Sequence, residues 1–302
     1  MFRQLRSRAA RLCWRAAAWL DPSGRGAALY APGDFYSPLL DLAALERDPD
    51  AFLAGAKRGW ECIDLRPDAQ RELLAKFLTL ENPLPLAAEP APPRRYGWNN
   101  PFFLFTDAWA LARLLGVVRP RRVIEVGSGW SSAVMLDARD HFGLEDTEWT
   151  FIEPYPARLE SLLRPEDRRA VTLRAEPVQR VPDEVFADLA AGDVLFIDSS
   201  HVGKVGSDLA DLLVRVLPRL APGVWIHFHD VAYPGPYPPA WLREGRAWNE
   251  VLFIQTLLLG GSRFQVEWFN AQAGRLFHDQ LAPLHPTRDR WGGGSLWLRT
   301  SG

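Results

Sequence analysis

Lysine is almost missing from this 302-residue chain: Lys57, Lys76 and Lys204 are the only three among 35 basic residues. Arginine supplies the rest, and 37 acidic residues bring the formal net charge to −2, so no basic surplus exists from which to build a nucleic-acid-binding face. Cysteine is equally scarce. Cys13 and Cys62 lie in no metal-ligand spacing and can close one bridge at most, which excludes a disulfide framework and fits a reducing, cytoplasmic setting. Long apolar runs are lacking too. Arg11 and Arg15 cut the Ala- and Arg-rich segment from Met1 to Leu20 into pieces too short for a signal-peptide core or a membrane span. That segment reads as a basic amphipathic helix, and no stable membrane insertion is expected.

What remains is an ordinary globular composition, 47% hydrophobic and 24% charged, ample to bury a core. The proline-rich stretch Pro83–Pro93 closes a helical and irregular extension over residues 1–95. From residue 96 to 302, strand and helix signals alternate. The patterning predicts strands near 121–126, 148–153, 170–174, 193–198, 223–229, 264–269 and 294–299. Helices are expected near 107–115, 130–140, 156–163, 183–190, 205–218 and 247–259. Seven strands with intervening helices imply an α/β fold, a mostly parallel, doubly wound, Rossmann-like sheet covered on both faces. Between the last two strands no long helix is predicted, which leaves an antiparallel pairing open. No internal repeat is present.

The segment Arg122-Val-Ile-Glu-Val-Gly-Ser-Gly-Trp-Ser-Ser132 carries most of the functional information. An apolar strand runs into a glycine turn, where the missing Cβ atoms of Gly127 and Gly129 let backbone N–H groups approach a ligand and the next helix offers its positive N-terminus. A dinucleotide fingerprint has a third glycine where this chain has Ser132, and Glu125 stands two residues before the first glycine, so NAD is disfavoured. A second carboxylate, Glu153, ends the next strand. Ligands of open α/β sheets bind beyond the carboxyl ends of strands, and two further strand ends are rich in titratable groups: Asp198-Ser-Ser-His201 and His227-Phe-His-Asp230. Asp198 is read either as a helix cap or as a ligand of metal or substrate. Asp198 and Asp230, with His229 beside them, are candidates to hold a divalent cation, and His201 is the candidate general base. His227 is assigned to the core.

The run from Val123 to Ser132 resembles the acidic-x-Gly-x-Gly motif of class I S-adenosylmethionine (SAM) methyltransferases. The resemblance extends over most of the chain, through Phe35–Pro38, Tyr96–Phe103, Ile152–Pro156, Phe196–His201, His227–Asp230 and Trp248–Glu250. It implies that Glu125, Gly127, Ser128, Gly129 and Glu153 hold SAM, with Glu125 toward the methionine end and Glu153 on the ribose hydroxyls. Ser131 and Ser132 are expected either to donate to the cofactor or to cap the helix, and Gln179 to edge the adenine. Tyr96, Trp98 and Asn99 are candidates to fold over the site, and Tyr233 and Tyr237 to stack on an acceptor. The spacing Asp198-x-x-His201 followed by His229-Asp230 resembles metal-dependent macrolide-sugar O-methyltransferases. There His229 replaces an acidic residue, which weakens the match to Mg²⁺ and admits a softer metal or none. The expectation is thus methyl transfer to a hydroxyl of a small molecule or sugar. Its rivals are a non-catalytic SAM-binding regulator and another Rossmann-like enzyme. Oligomeric state is not legible.

Overall fold

The computed structural model describes residues 32–235, 237–287 and 291–302, together with 12, 13, 16 and 30; apart from residues 12, 13 and 16, which are helical, the helix expected over residues 1–20 lies outside the described residues. The strands are β1 (Arg122–Val126), β2 (Glu148–Ile152), β3 (Val171–Arg174), β4 (Val194–Ile197), β5 (Trp225–Phe228), β6 (Phe264–Phe269) and β7 (Leu296–Thr300). β4 and β5 are buried at every residue, as parallel strands covered on both faces must be. The sheet order is β3-β2-β1-β4-β5-β7-β6, with β1 to β5 parallel and β7 antiparallel to both of its neighbours. This is the doubly wound, Rossmann-like sheet expected from the sequence, with the last pair of strands antiparallel. Two short helices, Asn270–Leu276 and His278–Leu281, occupy the last crossover, where no long helical period is found.

The order locates the site. From β1 the chain winds outward through β2 to β3, then returns to the opposite side of β1 as β4. The connections leaving the adjacent carboxyl ends of β1 and β4 therefore run in opposite directions and open the crevice where such sheets bind ligands. The helix expected near 205–218 is broken into Asp208–Asp211, a π turn at Leu212–Val216 and a 3₁₀ turn at Leu217–Arg219, where Pro218 has no N–H to donate. Ser207 caps its start by accepting from the Ala210 N–H at 3.1 Å.

Two compact units divide the chain. The larger comprises residues 59–234 and 248–302 and contains the whole sheet. On one face Phe77 of the Pro67–Thr79 helix packs edge-on against Trp109 and Trp268, at 5.6 and 5.3 Å between ring centroids, and the Phe105–Val118 and Trp130–Phe142 helices complete that core. Arg66 at the start of the Pro67–Thr79 helix pairs with Glu267 of β6 at 2.7 Å. The smaller unit comprises residues 1–58 and 235–247. Within it Asp41 caps the Leu42–Arg47 helix and Glu46 pairs with Arg243 at 2.6 Å. Among the described residues no helix is long and apolar enough to cross a membrane.

Candidate active site

Gly127 is forced by its neighbour strand. Its φ is +84°, and a Cβ there would sit 1.7 Å from the backbone oxygen of Asp198, so β1 and β4 approach this closely only because the side chain is missing. The turn's N–H groups differ from expectation. Gly127 N–H donates to the Ile152 carbonyl at 3.0 Å, Ser128 N–H to Glu153 Oε2 at 3.1 Å and Gly129 N–H to Ser132 Oγ at 2.9 Å. All three donors are used inside the protein, unlike those of a phosphate-cradling loop. A ligand with an ammonium group and sugar hydroxyls needs acceptors there instead, and carboxylates supply them.

Glu125 is fully buried. Ser131 Oγ donates to its Oε1 at 2.5 Å, and Ser132 Oγ donates to its Oε2. Each hydroxyl has one hydrogen, so the expected donation by Ser131 and Ser132 to a cofactor is replaced by donation to Glu125, while Ser132 also caps its helix. Burial, only partly offset by these serines, pushes the Glu125 carboxyl up to about 8. A carboxyl whose folded pKa is raised contributes stability at low pH and loses it as pH climbs from its ordinary 4.5 through about 8. Glu125→Gln is accordingly expected to flatten that decline in a denaturant series across the interval; an unchanged slope would show that Glu125 does not titrate there.

Glu153 lies just past β2, half-exposed, with Oε1 accepting from the Tyr155 N–H at 2.8 Å, which presents the carboxylate beside the turn. Gln179 donates to the Gly206 carbonyl at 2.9 Å on the loop after β3. The aromatics expected over the site are used in packing. Tyr96 is buried with its hydroxyl donating to the Phe103 carbonyl at 2.7 Å, Trp98 packs edge-on against Phe105, and Asn99 donates to Glu89. Tyr233 packs between Trp60 and Phe269, and Tyr237 stacks toward Trp241.

At the ends of β4 and β5 the expected residues do assemble. Asp198 caps no helix; its N–H continues the sheet by donating to the Val126 carbonyl at 2.8 Å. His201 and Asp230 both adopt left-handed backbone, φ 59° and 55°, which turns their side chains toward one another. His201 Nε2 stands 3.4 Å from Asp198 Oδ1 and 3.8 Å from Asp230 Oδ2. On its other side Nδ1 meets Glu250 Oε2 at 2.7 Å, and the Trp248 ring lies 4.4 Å away. Burial opposes charge on His201, but bonds and charges from Asp198 and Glu250 outweigh it and hold the imidazolium up to about 10.

Glu250 was not singled out as a site residue, being 49 positions from His201. Its neighbour Asn249 clasps Gly203, accepting from its N–H at 2.6 Å and donating to its carbonyl at 3.2 Å, while the Asn249 and Glu250 N–H groups both donate to the His201 carbonyl. Asp107 is a second unforeseen carboxylate, buried in an apolar helix, where Oδ1 accepts from Asn270 and from both the N–H and hydroxyl of Ser295. His227 is core, stacked on Phe196 at 3.7 Å and bonded to Ser295; burial and the charge of His229 keep it neutral.

His229 is buried against Phe103, with Nε2 3.7 Å from Asp230 Oδ1. Burial opposes its charge too, but Asp198, Asp230 and Asp107 raise its pKa. The three expected metal ligands, Asp198, His229 and Asp230, thus converge, yet among the described residues no group of three or more His, Cys, Asp or Glu is arranged to hold a metal ion. The physical reason is the His201 imidazolium, which faces both carboxylates and supplies the compensating charge a cation would bring. A metal does not fit this arrangement.

Residues 124–231 match the family described as a methyltransferase domain. A curated relative, an uncharacterised protein of Archaeoglobus fulgidus, is 30% identical over 133 residues, which cover 43% of this chain; the chain spans 60% of that relative's length. Among solved structures, a methyltransferase from Geobacter sulfurreducens is 16% identical, with 68% of this chain and 82% of that chain covered and a TM-score of 0.41. The O-methyltransferase TomG from Streptomyces achromogenes, in complex with SAM, is 17% identical over 64% and 78%, with a TM-score of 0.40. The match to the methyltransferase-domain family runs from within β1 to the residue after Asp230, and so takes in the glycine turn, Glu153, Asp198, His201 and Asp230 on a sheet of order 3-2-1-4-5-7-6.

Proposed function

We propose that this protein transfers a methyl group from SAM to a hydroxyl of a small molecule or sugar. The observation that carries the reading is the convergence of Asp198, His201 and Asp230 at the strand ends beside the Gly127–Gly129 turn. The cofactor brings a methyl group on a sulfonium leaving group. The protein's part is to hold it, to align the acceptor and to take the acceptor's proton. Glu153 beside the turn suits the ribose hydroxyls, and acceptor oxygens of the turn and of Asp198 suit the positive end.

Asp198 and Glu250 both face His201 and favour its protonated form against burial. Once Asp198 is engaged by the cofactor's cationic end, one of those two holds is lost, Nε2 releases its proton to solvent, and the neutral imidazole can then take the hydrogen of a hydroxyl placed between His201 and Asp230. The first test is calorimetric titration with SAM and S-adenosylhomocysteine (SAH), with NAD⁺ and NADH as controls. Binding of the SAM pair alone supports the reading; preference for NAD⁺ sinks it. Glu153→Gln replaces one acceptor oxygen by a donor, and SAH affinity is expected to fall about tenfold or more; unchanged affinity would remove Glu153 from the cofactor site. With an acceptor in hand, His201→Ala should lower turnover about 10²- to 10⁴-fold while SAH still binds. Full turnover by that variant would rule out the base assignment.

A further inference from the structure

The strand ends are crowded with carboxylates, and a SAM-type cofactor brings another on its amino-acid end. A carboxylate placed among Asp198, Asp230 and Glu153 needs a cation whose charge is not already taken. His201 and His229 do not qualify, since both are buried and their charges are held by Asp198, Asp230, Asp107 and Glu250. Arg158 differs. It sits on the Ala157–Leu162 helix after β2, exposed, and its guanidinium carbon lies 3.8 Å from the centroid of the Phe102 ring. Its Cδ is 3.2 Å from where a Cβ on Gly129 would be, so the stem lies directly over the glycine turn.

Nearby arginines have acidic partners: Arg164 pairs with Asp140 and Glu166, and Arg168 with Glu160. Among the described residues Arg158 has neither an ion pair nor a side-chain hydrogen bond, and its planar head is held by the face of a half-exposed phenylalanine. A guanidinium placed over a ring face and bonded to no acid keeps its N–H groups free for a two-oxygen partner. We propose that Arg158 anchors the α-carboxylate of the cofactor's amino-acid end, with Phe102 as its platform and Gly129 as the gap that lets it lie across the turn. Asp198 and Asp230 then face the ammonium of the same end, so a zwitterion meets opposite charges on its two groups. The field of Arg158 already reaches Asp198, where, behind burial, which raises that carboxyl's pKa, and the larger lowering by His229 and His201, it helps hold the carboxyl below its ordinary value.

The inference rests on the SAM reading but is tested separately from it. Wild type, Arg158→Ala and Arg158→Lys are titrated calorimetrically with SAH and with 5′-methylthioadenosine, which lacks the amino-acid end. Arg158→Ala should weaken SAH binding about tenfold or more, as expected for losing a charge-assisted bidentate contact. Arg158→Lys, which keeps the charge without the fork, should fall between. Methylthioadenosine should bind all three alike. Equal SAH affinity in all three overturns the anchor, and so does an equal loss for both ligands, which would place Arg158 at the adenosine end or in the scaffold. Failure of wild type to bind either compound removes the SAM reading and the anchor with it. Arg158 is exposed, so unchanged thermal melting should confirm that the variants are folded.

Discussion

Gly127→Ala is expected to leave little folded protein. The added methyl would stand 1.7 Å from a backbone oxygen, Asp198 O, and no rotamer change relieves a clash with backbone. The left-handed φ of +84° adds about 1–2 kcal/mol for any L side chain. Relief requires parting the ends of β1 and β4, which breaks the bond from Asp198 N–H to the Val126 carbonyl and displaces Asp198 from His201. The total should exceed about 4 kcal/mol, in the range reached only by a few mechanisms such as backbone strain in a core. Gly129→Ala is the control. Its Cβ would meet only the flexible side chain of Arg158, Cδ at 3.2 Å and Cγ at 3.9 Å, so folding should survive. Soluble yield and denaturant midpoints decide the matter: if Gly127→Ala melts like wild type, the close approach of β1 and β4 is wrong.

The same pair of glycines shows what a sequence can and cannot display. A buried parallel strand advertises itself, since Val123 to Val126 must be shielded on both faces, and a glycine turn after it marks a crevice. That the first glycine answers to a neighbouring strand and the second to an arginine 29 positions on depends on contacts that only the fold creates. The strand-end carboxylates and His201 were legible because strand ends of open sheets are ligand sites whatever the ligand. Glu250 was not: it opens a helix, where an acidic residue ordinarily complements the helix dipole, and its pairing with His201 depends on the Asn249 clasp. The capping role of Ser132 was legible from its place at the start of the helix, but its bond to Glu125, like that of Ser131, was not: full burial obliges Glu125 to find donors inside the protein, and the turn at Gly127–Gly129 folds the two serines, six and seven positions on, back onto it.

Arg95→Ala should cost about 3–5 kcal/mol, because it leaves buried charge without a partner. Arg95 is 5% exposed and is held by three aspartates: Asp137 at 3.0 Å, Asp140 at 2.9 Å, and Asp167, which it grips in a two-point contact whose Nε arm is 2.7 Å. Asp137 also accepts from the backbone N–H groups of Arg95 and Tyr96, so the network ties the segment just after the proline-rich stretch to the helix that begins at the glycine turn. Burial works against charge on Asp167, but Arg95 and Arg164 outweigh it and hold its carboxyl below the ordinary value. That contribution is present above the unfolded pKa and is lost as pH falls through the folded one. Without Arg95, Asp167 keeps only Arg164 against burial and its carboxyl rises, while Asp137, which burial already raises, rises further; their protonation restores part of the lost stability as pH falls. The deficit of Arg95→Ala measured by urea denaturation should therefore be larger at pH 8 than at pH 5. Arg95→Lys, which keeps a charge but cannot span Asp137 and Asp167 together, should lie between the two proteins. A deficit that does not change with pH would mean that the loss is one of packing, and that the three aspartates are solvated without their arginine.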